Sequence, residues 1–454
     1  MNRLALVCFA CLLALAVSIP SPSLAAPAPE SLRPQVERAV RDACPSCRLL
    51  SVERRVLSGN VAEYSFPVRV GGGEHDVIRL HRVVKESAPF VPIHAPRGLF
   101  MAPGDIWNFD AAFLSSVASP AVADDHALPI FLAKAGIDVW GIDFRWTLVP
   151  ATTTDFSFMA GWGIDTDTAD LGVGLAVART TRGLTGSGIG RLTLLGWSRG
   201  GQIGYSYVGA ESQIPEALRQ VKGFIPVDIL VKTNDSGVKA AACLRLDLTL
   251  DRLAAGEIAD GTGGLAATIG NLAKSAPGAT SPIIPTFTNL QVGLLTGEAT
   301  FALQPPGGAN VPDYHFTGGT FDGSGAPTGL SYSSQPGLFD FLTLGSPFEP
   351  IQELADGDAA LCEHSDTFEV PDVAFDDHLG DIKVPILYVG AGGGFGDFGL
   401  YTLGLLGSSD VTTHVVSLTP PAARILDIGH ADIFQANDAQ TLFWQPILGW
   451  LRSH

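Results

Sequence analysis

The segment Gly196-Trp197-Ser198-Arg199-Gly200-Gly201 constrains the fold of this chain more than any other. It follows the apolar run Leu192-Thr193-Leu194-Leu195, which predicts a buried strand, and it precedes residues that can begin a helix. A turn this tight between a strand and a helix leaves room only for glycine at Gly196 and Gly200. We expect the turn to hold Ser198 beyond the end of a sheet, beside the first N–H groups of the helix, where its hydroxyl can act as a nucleophile.

Strands and helices alternate on both sides of this turn. Gly98 to Ala102, Ile137 to Ile142 and Val221 to Val227 predict further buried strands, with helical segments between them. This order predicts an α/β fold with a mainly parallel sheet and right-handed crossovers. Ahead of it, two strand candidates within residues 61–84 flank a glycine-rich turn and predict an antiparallel hairpin.

The alternation stops at residue 231 and resumes with a strand at Val384 to Val389. We therefore predict a core in two parts, residues 26–230 and 381–454, interrupted by a cap or lid insertion at 231–380 that is rich in Gly, Pro, Ser and Thr. An insertion at the carboxyl ends of parallel strands would lie over the active cleft. A separate accessory domain is the alternative.

Composition bounds the class of protein and its partners. The 454 residues are 46% hydrophobic and 16% charged, which favours a globular protein, and the net charge of −18 disfavours nucleic acid and anionic membranes as partners. Residues 1–25 are typical of a signal peptide, with Arg3, an apolar stretch from Leu4 to Val17 and a small-residue cleavage site at Ser23-Leu24-Ala25. The sequence thus predicts a secreted or periplasmic protein with no later membrane span.

Four cysteines remain after the predicted cleavage, namely Cys44, Cys47, Cys243 and Cys362. An even number in an exported chain favours disulfides, for which three pairings exist. The preferred pairing joins Cys44 to Cys47 and Cys243 to Cys362, because the first pair is local and the second would brace the insertion. A redox role for Cys44-Pro45-Ser46-Cys47 is the alternative.

Together these segments resemble the α/β-hydrolase superfamily over about residues 60–230 and 381–454. The segments that carry the resemblance are Met101 to Asp105, Gly196 to Gly201, Tyr388 to Asp397 and Gly429-His430-Ala431-Asp432. The resemblance implies Ser198 as nucleophile and His430 as base, in the chain order serine, acid, histidine.

The acid of the implied triad has two candidates. The superfamily usually takes it from the loop after the strand that is here Val384 to Val389, where Asp397 is the only carboxylate within residues 390–406. A variant of the fold takes it one strand earlier, which makes Asp228 the alternative. Asp397 is the preferred acid at this stage.

Two backbone donors are expected to form an oxyanion hole. The N–H of Arg199 follows the nucleophile directly, and the second donor comes from the turn after the strand Gly98 to Ala102. Many relatives have His-Gly there, whereas this chain has Pro103-Gly104, and proline has no N–H. We expect the N–H of Asp105 to donate, with that of Gly104 in reserve and the Asp105 carboxylate turned away from the oxyanion.

The resemblance implies hydrolysis of a small-molecule or lipid-like carboxylic ester, without cofactor or metal. The same triad could act on amides or transfer acyl groups to alcohols, and a non-catalytic binding protein on this fold is the alternative from another class. The segment Gly394-Phe395-Gly396-Asp397-Phe398-Gly399 has the G-x-G-x-x-G pattern, but no carboxylate follows about twenty residues later, so we interpret it as a flexible loop. The oligomeric state stays open.

Overall fold

The computed structural model describes residues 32–303 and 310–454, so the signal peptide predicted for residues 1–25 lies outside the described residues. The strands in these ranges are β1 (Arg48–Leu49), β2 (Glu53–Ser58), β3 (Val61–Arg69), β4 (Val77–Ala88), β5 (Val91–Pro92), β6 (Arg97–Ala102), β7 (Ile137–Asp143), β8 (Leu192–Trp197), β9 (Val221–Val227), β10 (Ala259–Asp260), β11 (Gly319–Phe321), β12 (Pro327–Leu330), β13 (Glu349–Pro350), β14 (Ile386–Ala391) and β15 (Val411–Val416).

The helices are α1 (Arg33–Ala43), α2 (Phe109–Ala118), α3 (Leu128–Lys134), α4 (Ile164–Leu184), α5 (Arg199–Ser212), α6 (Ser236–Ala254), α7 (Thr262–Ser275), α8 (Asn289–Glu298), α9 (Thr300–Leu303), α10 (Gln335–Leu342), α11 (Ile351–Cys362), α12 (Leu400–Leu403), α13 (Asp432–Gln435) and α14 (Gln445–Ser453). None of the described helices is long and apolar enough to cross a membrane.

In the described ranges, eleven strands form one central sheet. Its order is β1-β3-β4-β7-β6-β8-β9-β14-β15, with β2 beside β3 and β5 beside β4. The strands from β7 to β15 along this order are parallel, and β3 and β4 form an antiparallel hairpin that pairs Phe66 with Leu80. The predicted α/β fold with a mostly parallel sheet is confirmed.

Helices cover both faces of the sheet, which is why its central strands are apolar throughout. All six residues of β8 and all seven of β7 are buried, as in parallel sheets packed on both sides. Apolar residues of α1, α4 and α5 pack on one face, and those of α2, α3 and α14 pack on the other. The carboxyl ends of β6, β8, β9 and β14 therefore meet at one edge of a double-sided core.

The chain between β9 and β14 adds no strand to the central sheet within the described residues. It forms the helices α6 to α11 and two short ribbons, β10 with β13 and β11 with β12. Residue types that favour helix starts cap two of these helices. Asp235 accepts hydrogen bonds from N–H groups in the first turn of α6, and Thr288 forms a capping box with Gln291 at α8. The sequence analysis did not predict these helices in a segment so rich in glycine and proline.

The structure pairs the four cysteines as the preferred scheme predicts. Cys44 is bonded to Cys47 at the end of α1, and Cys243 on α6 is bonded to Cys362 at the end of α11. The second bond joins the two ends of the inserted segment, across a sequence separation of 119 residues.

Candidate active site

Ser198 occupies the turn between β8 and α5 in a strained backbone conformation. Its φ of 56° and ψ of −129° are rare for a residue with a side chain, and such strain is concentrated at functional sites. A Cβ at Gly196 would overlap the carbonyl of Gly200, and a Cβ at Gly200 would overlap the carbonyls of Ala102 and Pro103. Both positions therefore need glycine, because the tight turn leaves no room for a side chain, as the sequence analysis expects.

His430 lies in the loop between β15 and α13 and contacts Asp228. The imidazole Nδ1 donates a hydrogen bond to Oδ2 of Asp228 at 2.7 Å, and both side chains are buried. Asp228 directly follows β9, the strand beside β8, and Ser198 and His430 line one cavity. The structure thus brings Ser198, Asp228 and His430 to the same edge of the sheet.

Asp397, the acid preferred in the sequence analysis, is not the hydrogen-bond partner of His430 in the structure. Its residue is exposed on a short 3₁₀ turn, Gly396–Gly399, and it lines a surface groove with Thr233 and Asn234. No hydrogen bond among the described residues joins Asp397 to His430. The geometry instead favours the alternative acid, Asp228, as the partner of His430.

The loop that carries Asp397 contributes N–H groups to the site. Oδ1 of Asp228 accepts hydrogen bonds from the N–H groups of Ala391 and Gly396 at 2.9 and 2.8 Å, and Oδ2 accepts one from Phe395 at 3.0 Å. Gly394 leaves the space for this approach, because a Cβ there would overlap Oδ2 of Asp228. The first two glycines of the G-x-G-x-x-G segment, Gly394 and Gly396, thus lie against a carboxylate of the protein itself.

Aromatic rings and the backbone of the inserted segment hold His430 in place. Trp197 stacks on the imidazole with ring centroids 4.9 Å apart, and the ring of Tyr314 lies 5.3 Å away. The N–H of His430 donates to the carbonyl of His315 at 3.0 Å, and that of Ala431 donates to Phe316 at 2.7 Å. Sequence reasoning missed this contribution, because only the three-dimensional fold places residues 314–316 beside His430.

Asp432 secures the same loop from the opposite side. Its Oδ2 accepts hydrogen bonds from the N–H groups of Gly429 and Gly318, both at 2.8 Å, and Oδ1 accepts one from Ser333. Burial raises the pKa of Asp432 to about 6, against the opposing effect of these donors. Asp432 therefore links the loop of His430 to the inserted segment.

The turn that carries Gly104 and Asp105, two of the expected oxyanion donors, lies close to the Ser198 side chain. A Cβ at Gly104 would lie 2.6 Å from Cβ of Ser198, so this turn approaches the nucleophile closely. The N–H groups of Gly104 and Asp105 donate to no acceptor among the described residues. The N–H of Arg199 is the first of α5, where a helix supplies no internal acceptor. Backbone donors are thus available on both sides of Ser198.

The Asp105 carboxylate is bound by the side chain of Arg199. Nε of Arg199 donates to Oδ1 of Asp105 at 2.7 Å, and Nη1 donates to Gln202. Burial alone would lower the pKa of Arg199, but Asp105, Glu353 and Glu349 raise it. The guanidinium therefore offsets the negative charge that Asp105 would otherwise present near an oxyanion.

A cavity of about 350 Å³ opens in front of Ser198 and His430. One wall is apolar and comes mainly from helices of the inserted segment, with Leu265, Ile269, Leu303 and Leu342 as examples. Two acidic residues, Asp105 and Glu349, also line this cavity. The cavity thus combines a predominantly apolar chamber with an acidic region.

Two solved structures that resemble this chain are those of lipases, and the first of them shares its fold. A provisionally assigned lipase from Sulfolobus solfataricus is 17% identical, with a TM-score of 0.59 over 90% of this chain and 99% of that chain. A monoglyceride lipase from Saccharomyces cerevisiae is 9% identical, with a TM-score of 0.44 over 90% of this chain and 96% of that chain. No protein-family model matches the chain, and no curated protein matches it in sequence. The likeness to the Sulfolobus solfataricus structure, together with the order of strands in the central sheet, shows the α/β-hydrolase fold.

Proposed function

We propose that this protein is a serine hydrolase of carboxylic esters that uses Ser198, His430 and Asp228. The observation that carries the proposal is the hydrogen bond from His430 to Asp228 beside a cavity that both His430 and the strained Ser198 line. A serine hydroxyl needs an adjacent base, and the base needs a group that orients it. These three side chains supply those roles.

Each residue has a separate role in the proposed reaction. The Asp228 carboxylate holds the proton of His430 on Nδ1, which leaves Nε2 to take the proton of Ser198 as its oxygen attacks the carbonyl carbon. The N–H groups of Arg199 and Asp105 stabilise the negative charge that forms on the carbonyl oxygen, with Gly104 as the alternative to Asp105. His430 then protonates the leaving alkoxide as its bond to the carbonyl carbon breaks, and water hydrolyses the acyl-enzyme.

The cavity supports an acyl group as the part of the substrate that is buried. Leu265, Ile269 and Leu342 offer an apolar wall without hydrogen-bonding groups, which suits a hydrocarbon chain. Because these residues belong to residues 231–380, we propose that this segment acts as a cap over the cleft. A bulky substitution, Ile269→Trp, would then shift the preference toward esters of shorter acids.

The proposed function is tested by ester hydrolysis together with covalent labelling. Wild-type protein should hydrolyse nitrophenyl esters and react with a fluorophosphonate probe, whereas Ser198→Ala should lose both. Ser212→Ala is the matched control, because Ser212 lies on the same helix and donates only to the carbonyl of Gly209. Wild-type rates in Ser198→Ala, or wild-type protein that neither labels nor turns over, would contradict the proposal.

We also propose that the protein works in an oxidising compartment outside the cytoplasm. The two disulfides support this, because such bonds persist mainly in secreted or periplasmic proteins. Sequencing the amino terminus of the exported protein should give Ala26 as the first residue. A product that begins at Met1 would contradict cleavage after Ala25.

A further inference from the structure

Three carboxyl groups from distant parts of the chain meet beside Arg199. Asp105 comes from the turn after β6, Glu349 from β13 and Glu353 from the first turn of α11. One oxygen of each lies within 4.8 Å of the others. Glu349 is 2% exposed and Glu353 is 0% exposed, so water does not screen their charges.

These carboxyl groups lack hydrogen-bond donors. Neither oxygen of Glu353, nor Oε1 of Glu349, accepts a hydrogen bond from any N–H or O–H in the described part of the chain. Their neighbours within hydrogen-bonding reach are other carboxyl groups, Asp167 for Glu353 and Asp105 for Glu349. Two carboxyl oxygens at such a distance require either a proton or a cation between them.

Nearby acidic residues differ, because they have partners of their own. Asp358 is bound by the guanidinium of Arg245, and Asp356 accepts hydrogen bonds from the N–H of Ile164 and from Gln352. Asp105, Glu349 and Glu353 share Arg199 as their nearest described cation. Once the three carboxyl groups have released their protons, one guanidinium leaves two negative charges among them, which one divalent cation would neutralise.

We propose that Asp105, Glu349 and Glu353 bind a divalent cation, with calcium as the preferred ion. An all-oxygen set of carboxylates suits a hard cation, and calcium accepts an irregular arrangement of oxygen ligands more readily than magnesium does. Asp105 and Glu349 line the cavity in front of Ser198, so water can complete the coordination from that side. This site shares Asp105 with the proposed oxyanion hole but includes none of Ser198, His430 and Asp228, so its occupancy does not depend on the proposed reaction.

A second acidic cluster differs from this one, because cationic side chains of the protein compensate its charges. Glu63, His81 and Asp110 also place one ligand atom each within 4.8 Å of the others. The guanidinium of Arg55 bonds both Glu63 and Asp110, and His81 donates to Glu63. Its charges are already compensated by cations of the protein, so it carries no comparable need for a metal.

A bound cation would join the core to the inserted segment. Asp105 belongs to the turn that offers an oxyanion donor, whereas Glu349 and Glu353 belong to the segment between β9 and β14. The N–H of Ser346 already donates to the carbonyl of Ile106 at 2.8 Å, so the two parts contact each other there. Calcium would therefore stabilise the folded chain against unfolding.

The test is calcium binding by metal-free protein, measured by calorimetry and by thermal melting at pH 8. This pH is chosen because burial raises the pKa of Glu349 and Glu353, and protons then compete less. We expect one calcium ion per chain with a Kd below about 1 mM and a rise in Tm. Bound terbium should show luminescence sensitised by tryptophan and displaced by calcium, because Trp107 and Trp197 line the same cavity as Asp105 and Glu349.

Substitutions at the proposed ligands test whether calcium binds at this site. Glu353→Gln and Glu349→Gln keep the side-chain shape and should each weaken calcium binding at least about tenfold, whereas Glu298→Gln should bind as wild type. Glu298 is the matched control, since it is another buried glutamate of the inserted segment with an unpartnered oxygen. Wild-type protein that shows neither heat nor a Tm shift at about 10 mM calcium, or unchanged binding in both site variants, would overturn the proposal. Because no substrate is used, these results are independent of ester hydrolysis.

Discussion

Nδ1 of His430 and Oδ2 of Asp228 are joined by a 2.7 Å hydrogen bond across 202 residues of sequence. Asp228 is further held by three backbone N–H groups, one from the last residue of β14 and two from the loop that follows. A carboxylate with this many donors is fixed in orientation and stays available to hold the imidazole in one tautomer. The contact therefore supports Asp228 as the acid of the proposed triad.

Replacing the two candidate acids should give opposite results. In Asp228→Asn the side-chain NH2 can donate a hydrogen bond to Nδ1, which moves the imidazole proton to Nε2, so His430 takes the wrong tautomer and kcat should fall roughly a thousand- to ten-thousand-fold. Asp397→Asn should stay within about twofold of wild type, because exposed surface substitutions usually have small effects. Steady-state ester hydrolysis with folding checked by circular dichroism measures both, and equal losses in the two variants would contradict the assignment to Asp228.

The loop around Asp228 should not tolerate a side chain at Gly394. In Gly394→Ala the new Cβ would overlap Oδ2 of Asp228 and displace the carboxylate, and a shift of this size should lower kcat about a hundredfold. Gly404→Ala is the matched control, because a Cβ there has its nearest neighbour at 3.4 Å. Hydrolysis rates of the two variants decide the question, and full activity in Gly394→Ala would show that the loop can move without cost to catalysis.

The free energy of unfolding should fall at alkaline pH because of His81, a buried histidine on β4. Burial by itself would lower the pKa of His81, but the neighbouring carboxylates of Asp143 and Glu63 raise it to about 10. With an ordinary pKa of 6.5 in the unfolded chain, the charged imidazole contributes stability that is complete below about pH 6.5 and is lost as the pH rises through about 10. The loss should be on the order of a few kcal/mol.

Denaturant unfolding at a series of pH values measures this effect. His81→Gln should be less stable at pH 7 and should lose less stability than wild type between pH 7 and 10. His364→Gln is the control, since His364 is exposed and should leave the wild-type profile unchanged. Identical pH profiles for wild type and His81→Gln would show that His81 is not charged in the folded state.

The two disulfides should differ in their contribution to stability. Removal of Cys243–Cys362 by substitution of both residues with serine should cost about 3–5 kcal/mol, because the bond closes a loop of 119 residues in the unfolded chain. Removal of Cys44–Cys47, at a separation of 3, should cost about 1–2 kcal/mol. Urea unfolding of the two double variants compares them directly, and the opposite ranking would point to strain or residual structure in place of loop entropy.

Local features of the site could be predicted from the sequence because they depend on neighbouring residues. The turn at Ser198 follows from glycines beside an apolar strand. The atoms that exclude a Cβ at Gly196 and Gly200 lie a few residues away or next to the adjoining strand. The parallel sheet likewise follows from the alternation of elements. The helices of residues 231–380 escaped prediction because their apolar stripes are short and interrupted by glycine.

The amino-acid sequence by itself determined the α/β fold class, the tight turn at Ser198 and the short list of residues that could serve it. Only the tertiary structure shows that Asp228, and not Asp397, is hydrogen-bonded to His430, and that Glu349 and Glu353 lie beside Asp105. Both carboxylate candidates follow strands of the same sheet, so sequence spacing does not separate them. The order of strands, and the direction in which each loop turns its side chain, decide which oxygen reaches the imidazole, since hydrogen bonds act over about 3 Å whatever the distance along the chain.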